Sequence, residues 1–287
     1  MQESITIWSE GTRLAGDLWL PEDLKPGERR AAVLLCHGWG GLKEHLNATY
    51  APWFSKAGLI AMTFDYRGWG ESDSKLVMLE KQPAPDENGE VTVRARAIRE
   101  VVDPFDQVAD VASCLDYLVG EPAVDVEHIG LWGSSYGGGH VVFTGARDPR
   151  IKAIVAQVSG QGGDSPPEAL AAAQERATGK ARGDLEPIPQ KVDAVPGLAG
   201  TPDVAKMVHY SPRSTADRIR VPTLVIDAER EELMDRMQHG HAVYEIIRKN
   251  APAEYKTYPC AHYEIYDKYY REASTLARDF LVHHLMD

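Results

Sequence analysis

His128-Ile129-Gly130-Leu131-Trp132-Gly133-Ser134-Ser135-Tyr136-Gly137-Gly138-Gly139-His140 places a Gly133-x-Ser135-x-Gly137 core where a short apolar run gives way to small residues. That is the pattern of a strand entering a sharp turn and leaving as a helix, with the middle side chain standing clear of the backbone. Glycines flank the turn because a Cβ there would collide with the neighbouring strand and helix. Ser134 does not fit the middle position, since its flanks would be Trp132 and Tyr136, so Ser135 is the nucleophile candidate. A Gly-rich strand-to-helix turn without chemistry would also explain the pentapeptide taken alone. The rest of the chain has to decide.

Working outward, apolar runs alternate with helical patterns. Ile5 to Leu20 alternates around a Glu10-Gly11-Thr12 turn and reads as an antiparallel hairpin. Ala31 to Cys36, Leu59 to Phe64, Ile129 to Trp132, Ile151 to Val158 and Val221 to Asp227 are apolar throughout, as strands buried on both faces are. Ala253 to Tyr258 reads as the last strand. Helices are predicted over Tyr50 to Ala57, from an Asp103 cap and Pro104, after Ser135 to about Gly145, over Pro167 to Thr178, Glu232 to Asn250 and Asp267 to Leu285. Lys75 to Val102, with Pro83, Pro85 and a Glu87-Asn88-Gly89-Glu90 turn, reads as an exposed excursion ending in a short Val91/Val93/Ala95 alternation. This order implies a mostly parallel sheet with helices on both faces, and ligands in such sheets sit beyond the carboxyl ends of the strands.

Bulk properties narrow the class. The 287 residues hold 43 acidic against 31 basic side chains, a formal charge of −12, with no Lys/Arg cluster. That argues against nucleic acid or an anionic membrane as partner. Cys36, Cys114 and Cys260 lie far apart and read as reduced thiols. Without a basic, apolar-cored start at Met1 or a run of membrane-spanning length, the expectation is a soluble cytoplasmic protein.

A serine hydroxyl needs a base, and the base needs an acid to orient it. His262 lies on the loop after the last strand, where a base would reach Ser135. His37 opens the Gly38-Trp39-Gly40-Gly41 loop and is read as shaping it, while His239, His241, His283 and His284 are read as solvated helix residues. The acid belongs after the penultimate strand, where Asp227, Glu229, Glu231, Glu232 and Asp235 all compete. The developing oxyanion needs donors, and the backbone N–H groups of Tyr136 and Trp39 are available. Trp39, Trp69 and Tyr136 are candidates for an aromatic wall.

The order Ser135, acid, His262, with His37-Gly38-Trp39-Gly40-Gly41 ahead and Asp65-Tyr66-Arg67-Gly68-x-Gly70-x-Ser72 between, resembles the α/β-hydrolase superfamily. Within it the chain looks most like bacterial dienelactone-hydrolase-like and Xaa-Pro-dipeptidyl-peptidase-like serine esterases, from Ile5 to Leu285. The resemblance implies an α/β-hydrolase core over 1–159 and 221–287 with a lid or cap insertion at 160–220. It implies Ser135 as nucleophile, His262 as base, Trp39 and Tyr136 as oxyanion donors, and Glu231 as acid, with Glu232 and Asp227 as rivals. Dienelactone hydrolases proper use cysteine where this chain has serine. The expected activity is hydrolysis of a small-molecule carboxylic ester, lactone or thioester through an acyl-enzyme, with no metal or organic cofactor. A peptidase or C–C bond hydrolase on the same triad, and a non-catalytic small-ligand-binding protein, are the alternatives. Self-association as a homo-oligomer is left open.

Overall fold

A computed structural model describes residues 1–191 and 197–286. The N-terminal hairpin joins β1 (Gln2–Ser9) to β2 (Thr12–Trp19) in antiparallel register. Its two-residue turn has positive φ at both Glu10 (47°) and Gly11 (86°), the turn whose twist matches that of paired strands. The chain continues through β3 (Arg30–Cys36), β4 (Ile60–Phe64), β5 (Val124–Ser134), β6 (Ile151–Gln157), β7 (Thr223–Ala228) and β8 (Ala253–Tyr258). These eight strands form one sheet in the order β1-β2-β4-β3-β5-β6-β7-β8. From β4 to β8 every neighbouring pair is parallel.

The double-sided burial that the apolar runs require is realised residue by residue. Ala32, Leu34 and Cys36 of β3 point into a core shared with Val111 and Leu115, whereas Val33 and Leu35 point to the opposite core with Phe54 and Leu281. The first core is covered by α1 (Pro104–Gly120), α2 (Tyr136–Gly145) and α4 (Gly240–Ile247), the second by α5 (Tyr270–Met286) and the short helix Tyr50–Ser55. α1 begins as its sequence dictates: the Asp103 carboxylate accepts from the N–H groups of Phe105 and Asp106, with Pro104 in the first turn. Truncating a fully buried strand residue such as Leu34 would cost about 2–5 kcal/mol, so each layer depends on the pattern being kept.

β3 is the place where the winding reverses, since the chain passes from it to β4 on one side and β5 lies on the other. The crevice beyond the carboxyl ends of β3 and β5 is therefore the site that this topology offers a ligand. Both the His37–Gly41 loop and Ser135 open onto it.

Two stretches depart from the sequence reading. The helix expected over Glu232 to Asn250 forms only at Gly240–Ile247. Upstream, Glu231 accepts from the Leu233 N–H and Asp235 from the Met237 N–H, and such local side-chain bonds compete with helical ones. The Lys75 to Val102 excursion contains an antiparallel pair, Lys75–Met78 with Ala95–Ile98; of the expected alternation only Ala95 belongs to it, and Val91 and Val93 lie in the connection between its strands. Val101–Val102 then pairs in parallel with Thr201–Pro202, joining this excursion to the second long one. In the 160–220 stretch, α3 (Pro167–Arg182) ends at Gly183 in the left-handed conformation (φ 80°), four residues beyond the expected alanine-rich helix. Part of that stretch, 192–196, lies outside the described residues. Among the described residues, no helix is long and apolar enough to cross a membrane.

Candidate active site

Ser135 stands between β5 and α2 with φ 54° and ψ −121°, a region that non-glycine residues seldom occupy. Strain of this kind costs on the order of 1–3 kcal/mol and persists only where the surroundings over-determine it. Here they do. The Ser135 N–H donates to the Gln157 carbonyl at 2.9 Å. A Cβ on Gly133 would overlap the carbonyl oxygen of Gly137, and one on Gly137 would overlap that of Cys36. Both glycines are thus required by close backbone approach.

The loop after β3 runs directly past this turn. A Cβ on Gly38 would sit 2.8 Å from the Ser135 Cβ and 3.3 Å from its Oγ. The Trp39 N–H has no acceptor among the described residues. Tyr136 is the first residue of α2, so its N–H is one of the donors a helix leaves unpaired at its start. The two side chains meet edge to face, ring centres 5.6 Å apart. Above them lies Leu198–Gly200 of the second excursion. Gly200 has φ 131°, and a Cβ there would stand 2.7 Å from the Trp39 Nε1 and 3.0 Å from the Trp69 ring.

His262 follows β8, and its Nδ1 lies 2.7 Å from Oε2 of Glu231, with side chains only 2% and 3% exposed. A carboxylate at that distance is an acceptor, so Nδ1 carries the proton and Nε2 presents a lone pair. The three rival acids take three different partners. Glu231 takes the imidazole, Glu232 accepts from the His262 backbone N–H at 2.8 Å, and Asp227 accepts from the Tyr255 hydroxyl at 2.9 Å. Asp227 is packed against Gly240, and burial pushes its carboxyl up to about 7.

Ser135 and His262 line one cavity of about 470 Å³, walled mainly by Trp39, Leu46, Tyr50, Trp132, Leu198 and Tyr266. A larger and more open surface depression of about 660 Å³, around Glu10, Ser72 and Arg99, contains none of the sequence-predicted site residues. Of the three expected wall aromatics only Trp39 lines this cavity; the Tyr136 ring packs against Trp39, His140 and Tyr210, and Trp69 packs in the core and hydrogen-bonds the Val101 carbonyl.

The remaining histidines divide. His37 is buried beside Tyr66, and burial pulls its pKa down to about 4, which fits a neutral residue shaping its loop. His239 departs from the solvated reading: it is half-buried, and its Nδ1 accepts from the Gln161 N–H at 2.9 Å, tying the start of the second excursion to the acid loop. Sequence reasoning gave no role to His140. It lies buried under Tyr136 between the Tyr210 hydroxyl (2.6 Å) and the Gln107 side-chain oxygen (3.0 Å), and burial pulls it down to about 3. Its position four residues after Tyr136 on α2 was the available signal.

The Asp65–Ser72 motif is structural throughout. Asp65 accepts from the N–H groups of Lys43 and Glu71, Ser72 links β2 to the Asp65 carbonyl, and Arg67 is paired with the fully buried Asp110 at 2.7 Å. Burial pushes the Asp110 carboxyl up while Arg67 pulls it back. Among the described residues there is no cluster of three or more His, Cys, Asp or Glu suited to a metal ion.

Known proteins share this architecture. The alpha/beta hydrolase GrgF from Penicillium sp. sh18 superposes with a TM-score of 0.77 at 18% identity, covering all of both chains. Est1E from Butyrivibrio proteoclasticus, solved with ferulic acid, gives 0.69 at 19% identity over 99% of this chain and 100% of its own. In sequence, the "Uncharacterized 31.7 kDa protein in traX-finO intergenic region" of Escherichia coli is 27% identical over 268 residues, 82% of this chain and 84% of that one. Thiohydrolase aneE of Aspergillus aculeatus is 30% identical over 153 residues, 53% of this chain and 39% of its own. The chain thus has the α/β-hydrolase fold. The model of the X-Pro dipeptidyl-peptidase (S15 family) matches residues 10–165, more than half the chain and inclusive of the Ser135 turn, and the chain belongs to that family.

Proposed function

We propose that this hydrolase cleaves a carboxylic ester, lactone or thioester of a small molecule through an acyl-enzyme on Ser135. One observation carries the reading: a strained serine and a histidine already oriented by a buried carboxylate line the same cavity. His262 Nε2 takes the Ser135 proton as Oγ bonds to the substrate carbonyl carbon. The oxyanion so formed is held by the N–H groups of Trp39 and Tyr136. Collapse breaks the bond to the leaving group, which departs with the proton from His262. Water then repeats the sequence, giving His262 a proton as it attacks the acyl carbon and releasing the acid and free Ser135. Glu231 keeps the imidazole in the required tautomer and stabilises its charged form. The chain itself thus supplies nucleophile, base and oxyanion donors, and no cofactor enters this route.

Residues 160–220 act as the cap in this reading, since Leu198 reaches the cavity and Gly200 rests on Trp39. The core is then 1–159 with 221–287. A cytoplasmic location, small-molecule substrate and no nucleic-acid or membrane partner complete the proposal. The S15 match supports a second reading, peptidase action on the same residues. A fluorophosphonate probe tests the assignment by intact mass. A single adduct on the wild type, absent from Ser135→Ala, is the expected result; an unlabelled wild type would instead favour an idle ligand-binding protein.

A further inference from the structure

Among the described residues, none of the side chains lining the cavity between Ser135 and His262 is Lys, Arg, Asp or Glu. Three charged side chains close to the cavity already have partners, and Glu44, beside His45, is exposed to solvent. Glu231 serves His262 and the Leu233 N–H, and Glu232 serves the His262 backbone. Lys43, the first residue of the short helix Lys43–Asn47, is shared between Asp17 and Glu71 at 2.8 Å each. Two histidines besides His262 line the cavity. The Nδ1 of His45 accepts from the Leu42 N–H at 3.1 Å. His37 is held neutral by burial.

An ion pressed against these walls gives up water on that side and meets no counter-charge among the described lining residues, a cost of up to several kcal/mol for a group held deep beside Ser135. The aromatic and aliphatic walls, by contrast, reward any apolar surface they cover. From this lining we infer that the substrate is uncharged throughout the part that enters the cavity, an ester or thioester with a neutral aromatic or aliphatic body. An X-Pro substrate would bring an α-ammonium, and a dienelactone-type substrate a carboxylate. Neither meets a counter-charge among the described lining residues. The inference rests on Ser135 being the nucleophile and goes beyond that assignment to the substrate it serves.

The test uses three 4-nitrophenyl esters of 3-phenylpropanoic acid: unsubstituted, 4-carboxy and 4-aminomethyl on the phenyl ring. Active sites are first counted by fluorophosphonate labelling of Ser135. The expected result is a kcat/KM at least about 100-fold lower for both charged esters than for the neutral one. The three matching trifluoromethyl ketones, competed against labelling, give the same order of affinity where turnover is slow. Gly-Pro 4-nitroanilide with its free α-ammonium is expected to be cleaved no faster than its N-acetyl form. Leu198→Lys, and Ala48→Lys should the first variant fold poorly, place a cation in the wall and should raise the carboxylate-to-neutral ratio at least tenfold. Wild-type enzyme that labels on Ser135 yet handles a charged ester within about threefold of the neutral one overturns the inference while leaving the nucleophile in place. Absence of labelling overturns both.

Discussion

The left-handed Gly200 presses on Trp39: a Cβ added there would lie 2.7 Å from the indole Nε1. Trp39 in turn rests edge to face on Tyr136, so one contact from the second excursion bears on both proposed oxyanion donors. Gly200→Ala is expected to lower kcat by about 10- to 100-fold, part of the 10²–10³ that losing one donor costs, with KM changed by less than threefold. Steady-state kinetics on an activated ester check this, and a fall in KM alone would refute it.

Glu231 and Glu232 both serve His262, one through the ring and the other through the backbone. Their amide variants should therefore separate. Glu231→Gln cannot hold the tautomer and should lose about 10³- to 10⁴-fold in kcat. Glu232→Gln keeps an acceptor oxygen and should stay within about tenfold. Equal losses in the two would show that the ring contact has no special role.

His140 and His37 are held neutral by burial, pulled from 6.5 to about 3 and about 4. Their folded pKa values lie below the unfolded ones, so the unfolded chain gains protons first as pH falls. Their contribution to stability is complete above pH 6.5 and is withdrawn toward pH 3–4, at up to about 1.4 kcal/mol per pH unit for each group. Asp227, raised to about 7, works in the opposite direction between pH 7 and 3.8. The telling quantity is thus the difference between wild type and His140→Gln in denaturant melts at pH 7, 6, 5 and 4. The variant should lose less stability on acidification, and parallel curves would contradict the account.

Asp110 is fully buried against Arg67. Asp110→Ala leaves the guanidinium, itself only 7% exposed, without its main counter-charge and should cost about 3–5 kcal/mol in urea unfolding. Fluorophosphonate labelling per folded molecule should be unchanged, which separates this scaffold role from catalysis.

What could be read in the chain follows from where information is local. Strand runs buried on both faces, the Ser135 turn and the position of His262 after β8 are each written within a few consecutive residues. The choice among Asp227, Glu231 and Glu232 was not, because these three share a six-residue run with a fourth carboxylate, Glu229, and only their partners tell them apart. For the same reason the Glu232 to His239 stretch looked helical: its composition suits a helix, but its side chains are committed to backbone groups instead. The Arg67–Asp110 pair and the Tyr210 and Gln107 partners of His140 depend on contacts across tens of residues, and apart from the four-residue spacing of His140 from Tyr136 nothing in a short window reports them.

The short parallel pairing of Val101–Val102 with Thr201–Pro202 has a consequence for recombination. It makes the two excursions a single heritable module, although 98 residues of hydrolase core and inserted chain separate them in the gene. A chimera that imports a relative's 160–220 stretch onto this core inherits half of that seam. Transplanting 75–102 with it keeps the seam intact, and libraries built to alter selectivity should exchange the two stretches together.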